Sequence, residues 1–297
     1  MSKELDQFYT SPKIVNRFLK IINKKININS KSILIEPSAG DGKFLDGFDI
    51  FFPNNKIMAY DIEKNHHKVK QQNFLNLSLS YNENFVVIGN PPFGHRSKLA
   101  IDFLNKSAEF SDVICFVLPI QFKRWGVQNK INQNLKLIYS SSNLPKNSFL
   151  YKNRSYNVNC LLQIWVNKHN KNFLKYKDLR LKKAPKNKHD DFQLLIYNNT
   201  KETLKYFNKK IYQWDFAIVR QGFYDYNEKI YDPFLLKENR QYLFIKCNND
   251  ISKQIMNLID FEKLSNKNTT IKGFSNTDII KEYEFIKRKI KNFSSST

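Results

Sequence analysis

Between residues 32 and 120 the chain alternates short apolar runs with helix-patterned segments, and this alternation restricts the possible folds more than any other feature. The runs are "SILIE" (32–36), "KIMAYDIE" (56–63), "NFVVIG" (84–89) and "DVICFVLPI" (112–120). Each has the length and side-chain types of a strand, while "GKFLDGF" (42–48) and "SKLAIDFLNKSAEF" (97–110) carry helical spacing. A strand that follows a helix returns parallel to the one before it, so the pattern predicts a doubly wound α/β sheet. The unbroken apolar character of the last run suits a strand covered on both faces. "QNFLNL" (72–77) reads as a further strand. Ahead of them all, Ser11 and Pro12 mark a helix start, followed by one apolar face of Ile14, Val15, Phe18, Leu19 and Ile22.

After the alternating region, "LKLIYSSSNLP" (135–145) and "YNVNCLLQIWVNK" (156–168) read as two strands joined by a loop with Lys152 and Arg154. That loop is too short for a helical crossover, so the sheet is expected to end in an antiparallel pair. Residues 1–168 thus form one predicted domain. From 168 to 188 nine Lys or Arg face the single Asp178, which reads as a solvated basic linker over 169–189. Residues 190–297 mix strand patterns ("DFQLLIY", "WDFAIVR", "QYLFIK") with helical ones ("TKETLKYFNKKIY", "NTDIIKEYEFIKRKI") and predict a smaller α+β domain.

The net charge of +22 predicts a polyanionic partner, because neutralised phosphates release counterions. Only eight of the 49 basic residues are Arg, so part of the excess is general Lys enrichment. The start of the chain lacks the layout of a secretory signal, and no window of about 18 uninterrupted apolar residues occurs. The chain therefore reads as intracellular and not bound to a membrane. Cys115, Cys160 and Cys247 are isolated, which predicts neither disulfides nor a zinc site. His66 and His67 have no further ligands around them and read as surface residues.

The turn after the first predicted parallel strand is E-P-S-A-G-D-G, Glu36 to Gly42. It matches neither G-x-G-x-x-G nor the G-K-[ST] phosphate loop. It offers an acidic strand tip and two glycines that admit a ligand close to the backbone. Asp61 ends the next strand, where a carboxylate can accept both hydroxyls of a ribose. The ligand these features describe is a nucleoside whose tail carries no phosphate. The strand "VVIG" then runs into Asn90, Pro91, Pro92, Phe93 and Gly94.

"LIEPSAGDGKFL", "AYDIE", "QNFL" and "VVIGNPPF" stand in the order of the core motifs of S-adenosylmethionine-dependent amino-methyltransferases. Over roughly residues 4–167 the chain resembles the gamma-type adenine-N6 enzymes. The resemblance implies a Rossmann-like class I methyltransferase fold, with a doubly wound, mostly parallel seven-stranded sheet and an antiparallel terminal strand. It implies S-adenosyl-L-methionine as cofactor. Glu36, Pro37, Ala39 and Gly40 would cradle its methionine part, Asp61 its ribose, and Ile62 and Phe74 the two faces of its adenine. The family commonly has Asp where this chain has Asn73, whose amide oxygen is a weaker acceptor for the adenine amino group. "DQFYTSP" resembles the segment that folds over the methionine end and adds Phe8, Tyr9 and Thr10. Asn90 belongs to both the cofactor site and the reacting site.

An exocyclic amine is a poor nucleophile because its lone pair is delocalised into the ring. Two fixed acceptors, the Asn90 side chain and the Pro91 carbonyl, would hold it tetrahedral with the lone pair aimed at a sulfonium methyl. Pro91 and Pro92 stiffen that arrangement, and Phe93 would stack on the target base. Phe122 and Arg124 follow the fifth strand and are candidates for the target pocket. Arg220, in "VRQGFYDYNEKIY" with Phe223, Tyr224 and Tyr226, is a candidate nucleic-acid contact in the second, target-recognition domain. The substrate read from these features is adenine N6 in DNA. Phe in place of Tyr after the prolines, with Gly94 behind it, also resembles RNA adenine-N6 methyltransferases. A protein-glutamine methyltransferase and an inert nucleic-acid-binding module are the remaining alternatives. A restriction-modification pair, a viral self-marking enzyme and a housekeeping methylase are all compatible settings.

Overall fold

The computed structural model describes residues 9–151, 154–201, 207–267 and 271–294. The chain divides into two compact units, Met1–Lys183 and Ala184–Thr297.

The first unit begins with the short strand β1 (Tyr9–Thr10) and helix α1 (Pro12–Lys25). Pro12 opens the helix as expected, but the Ser11 hydroxyl makes no capping bond; the Ser11 N–H donates to the Ser148 carbonyl instead. Ile14, Val15, Phe18, Leu19 and Ile22 are all buried, and they bring α1 against α2 (Lys43–Phe51). The strands that follow are β2 (Ile33–Glu36), β3 (Lys56–Asp61), β4 (Val69–Gln71) and β5 (Asn82–Gly89). Helix α3 (Lys98–Phe110), strand β6 (Ser111–Pro119), the short helix α4 (Trp125–Gln128) and strand β7 (Leu135–Ser140) come next. The unit is completed by β8 (Phe149–Tyr151), β9 (Arg154–Tyr156) and β10 (Cys160–Asn167).

Seven of these strands form one sheet in the order β4-β3-β2-β5-β6-β10-β7. Neighbours from β4 to β6 are parallel, and β10 runs antiparallel to both β6 and β7. Every residue of β6 and β10 is buried, as the continuous apolar runs require of strands covered on both faces. The chain steps outward through β3 and β4 and then returns to the other side of β2 with β5. A crevice opens at such a reversal, outside the carboxyl ends of the strands.

Two segments differ from the sequence expectation. Residues 74–76 form a single 3-10 turn, and the edge strand lies just before them at Val69–Gln71. The loop between β7 and β10 contains the β8–β9 hairpin, whose β8 pairs with β1 in a small separate sheet. The N-terminal segment is thereby held in place by chain about 140 residues later, a pairing that local periodicity cannot show.

The basic segment expected as a linker is divided. Its part up to Lys183 belongs to the first unit and runs beside β7. Asp178 Oδ1 accepts from the Leu137 N–H (3.1 Å), and the Leu179 N–H donates to the Leu137 carbonyl (2.8 Å). Lys136 Nζ donates to the carbonyls of Phe173 and Tyr176. The one acidic residue in the run is thus among the groups that fasten it to the sheet edge.

The second unit has strands β11 (Phe192–Asn199), β12 (Phe216–Val219) and β13 (Arg240–Cys247) in the antiparallel order β11-β13-β12. Helices α5 (Asp250–Asn257), α6 (Phe261–Ser265) and α7 (Asn276–Ser294) follow. One face of the sheet packs Phe216, Ile218, Leu243 and Ile245 with Met256 and Tyr283 of the helices. Of the helix expected in "TKETLKYFNKKIY" (200–212), residues 202–206 lie outside the described residues, and 208–212 form bends rather than helix. Among the described residues no helix is long and apolar enough to cross a membrane.

Candidate active site

A cavity of about 510 Å³ opens at the carboxyl ends of the parallel strands of the first unit. The turn after β2 contributes Pro37, Ser38 and Gly40; the end of β3 contributes Asp61 and Ile62. Asn73 and Phe74 come from the turn beyond β4, and Asn90 to Phe93 from the end of β5. Tyr9 lines it from β1. Four stretches far apart in sequence therefore meet because each ends a strand, or follows one, at the same edge of one sheet.

The turn after β2 is held from both sides. The Gly40 N–H donates to Asp61 Oδ2 (2.8 Å), and the Ala39 N–H donates to the Tyr60 carbonyl (3.0 Å). Gly40 has φ +52°, and a β carbon there would fall 2.8 Å from the Tyr9 ring. A side chain at this position would strain the backbone and have to displace the Tyr9 ring. Asp61 Oδ1 accepts from the Glu63 N–H (3.0 Å), which fixes the rotation of the carboxylate.

Glu36 is fully buried beneath this turn. Its Oε1 accepts from the Ser38 N–H (3.2 Å), whereas Oε2 has no hydrogen-bond partner. Burial pushes its carboxyl well above the usual carboxylate range, and Asp61 adds to the rise. The space for this carboxyl exists only because residue 89 is glycine, since a β carbon there would overlap Glu36 Oε1. Burial raises the Tyr9 phenol too, followed by the charges of Asp41, Asp61 and Glu63. In a chain of net charge +22, this end of the cavity is acidic, and no Lys or Arg is among its lining residues. Such a field favours a cationic ligand over a phosphate-bearing one.

The Asn90 carbonyl accepts from the Ser38 hydroxyl (3.1 Å), tying the end of β5 to the turn after β2. Pro91 and Pro92 follow without any cis peptide among the described residues. Phe93 is 7% exposed, so its ring is part of the cavity wall and a base would reach it only from inside. Phe74 is 1% exposed, stacked on Phe103 at 5.3 Å with 21° between the rings. Asn73 Oδ1 accepts from the Leu75 N–H (3.0 Å), so the amide oxygen read as an acceptor for an adenine amino group is engaged in closing its own turn.

Of the remaining expected residues, Thr10, Glu36 and Ala39 are buried beside the cavity without lining it. Phe8 lies outside the described residues. Phe122 is fully buried in the hydrophobic core, and its carbonyl accepts from Gln128 Nε2. It is therefore a packing residue and not a wall of the cavity. Arg124 is not among the lining residues either, and its backbone N–H closes a turn onto the Gln121 carbonyl. Arg220 belongs to the second unit, where Nη1 donates to Gln241 Oε1 (3.3 Å). Sequence reading missed Ser38, Gly89, Leu99 and Phe103. The S in E-P-S-A-G and the G before N-P-P-F were visible signals, but Leu99 and Phe103 belong to an ordinary helical stripe. Among the described residues no cluster of three or more potential metal ligands occurs.

The sheet order and the single antiparallel strand define the first unit as a class I methyltransferase fold. No protein-family model and no curated protein matches the chain in sequence. Solved structures resemble it in fold. A protein from Listeria monocytogenes described as a class I S-adenosylmethionine-dependent methyltransferase is 13% identical, covering 62% of this chain and 66% of its own, with a TM-score of 0.45. A protein from Pyrococcus horikoshii described as an RNA methyltransferase is 15% identical over 55% of this chain and 87% of its own (TM-score 0.44). The methyltransferase subunit of a type I restriction-modification system from Streptococcus thermophilus is 15% identical over 55% of this chain and 45% of its own (TM-score 0.42).

Proposed function

We propose that this protein is an S-adenosylmethionine-dependent methyltransferase that acts on the N6 amine of adenine in DNA. The observation that carries the reading is the convergence of Asp61 and Asn90-Pro91-Pro92-Phe93 on one cavity, over the buried Glu36, at the reversal point of the sheet. The residues fit the cofactor: a glycine turn at Gly40 where a side chain would strain the backbone, an acidic end for its cationic groups, and a buried carboxyl with an orphan oxygen. Bound there, S-adenosylmethionine supplies a methyl group on a sulfonium.

Asp61 would hold the ribose, with Ile62 and Phe74 on either side of the cofactor's adenine. The Asn90 side-chain oxygen and the Pro91 carbonyl would each accept one N–H of the target amine. The two acceptors would hold the nitrogen tetrahedral with its lone pair free to attack a sulfonium methyl, without any prior deprotonation. Ser38 holds the Asn90 carbonyl and so orients the peptide that leads into Pro91. The amine sheds its extra proton after transfer. The prolines limit motion of the acceptor pair, so the hydrogen-bond geometry exists before substrate arrives.

The Phe in the fourth place of the motif, followed by Gly94, favours RNA adenine as the second reading. Labelled cofactor offered with duplex DNA, single-stranded DNA and structured RNA separates the two. The expected result is label in N6-methyladenine of DNA, lost in Asn90→Ala. Label in RNA alone would move the substrate, and no label in either polymer would refute the reading.

A further inference from the structure

The second unit carries a cavity of its own, about 470 Å³, at the end of the three-stranded sheet where β11 and β12 finish and β13 begins. Its lining includes four carboxamides, Asn198, Gln221, Asn239 and Gln241, together with Tyr224 and Arg240, and no acidic side chain. Side chains are joined across all three strands here. Arg220 Nη1 donates to Gln241 Oε1 (3.3 Å), and Gln241 Nε2 donates to Asn198 Oδ1 (3.1 Å). The register explains the alignment, since Asn198 pairs with Gln241 and the Arg220 N–H donates to the Gln241 carbonyl. The Arg240 guanidinium lies 4.6 Å from the centroid of the Tyr224 ring, which itself packs closely on Gly222. At the turn leading to Tyr224, Phe223 is 76% exposed.

A carboxamide presents a donor and an acceptor side by side, which is the complement of a nucleobase edge such as adenine N6 and N7. A guanidinium held over an aromatic ring offers a flat cationic face on which an unstacked base can rest. The absence of carboxylates from the lining keeps phosphates from being repelled.

We propose that this sheet end is a binding site for a single unstacked nucleobase of a nucleic-acid strand, with the base on Arg240 and its edge on the carboxamide row. The site stands on its own geometry and does not depend on the chemistry of the first cavity.

The test measures binding of labelled single-stranded oligonucleotides to the full-length protein without cofactor, at fixed ionic strength. DNA and RNA strands of one sequence are compared with a strand bearing an abasic position. Arg240→Lys and Gln221→Ala are each expected to weaken binding of the base-bearing strands about 10-fold, and the abasic strand is expected to bind as weakly to wild type. The Lys variant keeps the charge, so a site that merely attracts phosphate would leave it near wild-type affinity and overturn the proposal. Equal affinity for abasic and base-bearing strands would overturn it too. Hydrogen exchange on the wild type gives a readout that needs no variant: amides of 220–224 and 239–241 should gain protection when the strand binds, and unchanged exchange there would refute the site. Because no methyl transfer is read, this proposal and the adenine-methylation reading fail separately.

Discussion

The Ser38 hydroxyl donates a 3.1 Å hydrogen bond to the Asn90 carbonyl, joining residues 52 positions apart at the mouth of one cavity. On the proposed function, the turn that would cradle the cofactor and the segment that would hold the amine are thereby tied to each other. A shift in either would change the distance between methyl donor and acceptor, on which an in-line transfer depends steeply.

Ser38→Ala removes that tie between the two segments. A net hydrogen bond of this kind is worth about 0.5–1.5 kcal/mol. The variant should lose up to about 10-fold in kcat, by the same conversion, with little change in cofactor affinity. Steady-state kinetics beside calorimetric cofactor binding checks this, and an unaltered kcat would mean that the bond does not position the acceptors.

Gly89→Ala places a β carbon against the buried Glu36 carboxyl. Overpacking at such a site costs about 1–3 kcal/mol. Adding Glu36→Ala in the same chain vacates the space, so the double variant should be more stable than the sum of the single losses. Urea denaturation of the four proteins measures the coupling; strict additivity would show that the two residues do not compete for one volume.

Glu36 also predicts a pH dependence of stability. Burial holds its carboxyl above its ordinary value near 4.5, so the folded chain keeps a proton that the unfolded chain releases. Below that ordinary value both states are protonated and the group costs nothing. As pH rises above it, stability falls by up to about 1.4 kcal/mol per pH unit until the folded carboxyl ionises. Glu36→Gln has the same shape and no charge to titrate. Its stability relative to wild type should increase with pH from 5 to 7 in denaturant titrations, and a constant difference would contradict the shift.

Asp61 accepts from the Gly40 N–H and the Glu63 N–H with its two oxygens. Asp61→Ala removes the clamp on the glycine turn and the expected ribose acceptor together. Hydrogen bonds to charged groups are worth about 1.5–3 kcal/mol, so cofactor binding should weaken by about 10-fold to 150-fold. Asp61→Asn keeps one acceptor and should lie between. Calorimetric titration with S-adenosylmethionine decides, and equal affinity in Ala and wild type would remove Asp61 from the site.

Local sequence determined the parallel strands at 33–36, 56–61, 84–89 and 112–119 and the helices between them, because continuous apolar runs such as 112–120 suit strands covered on both faces, but it misplaced the edge strand and did not show the β8–β9 hairpin. It also determined which residues stand at strand tips, since Glu36, Asp61 and Asn90 each end an apolar run before a turn. What local sequence could not supply was who meets whom across the chain. The bond from Ser38 to Asn90, the room that Gly89 leaves for Glu36, and the pairing of Tyr9–Thr10 with Phe149–Leu150 all join distant segments. Phe122 shows the same limit from the other side: its position after a parallel strand resembled that of a pocket residue, yet it is fully buried in the core. Asp178 does so as well, for in a run of nine basic residues its neighbours suggested a solvated linker, and the backbone of Leu137 at the sheet edge gave it a partner. Secondary structure follows from side chains a few positions apart, whereas a site is made of groups whose proximity exists only after the sheet has set their register.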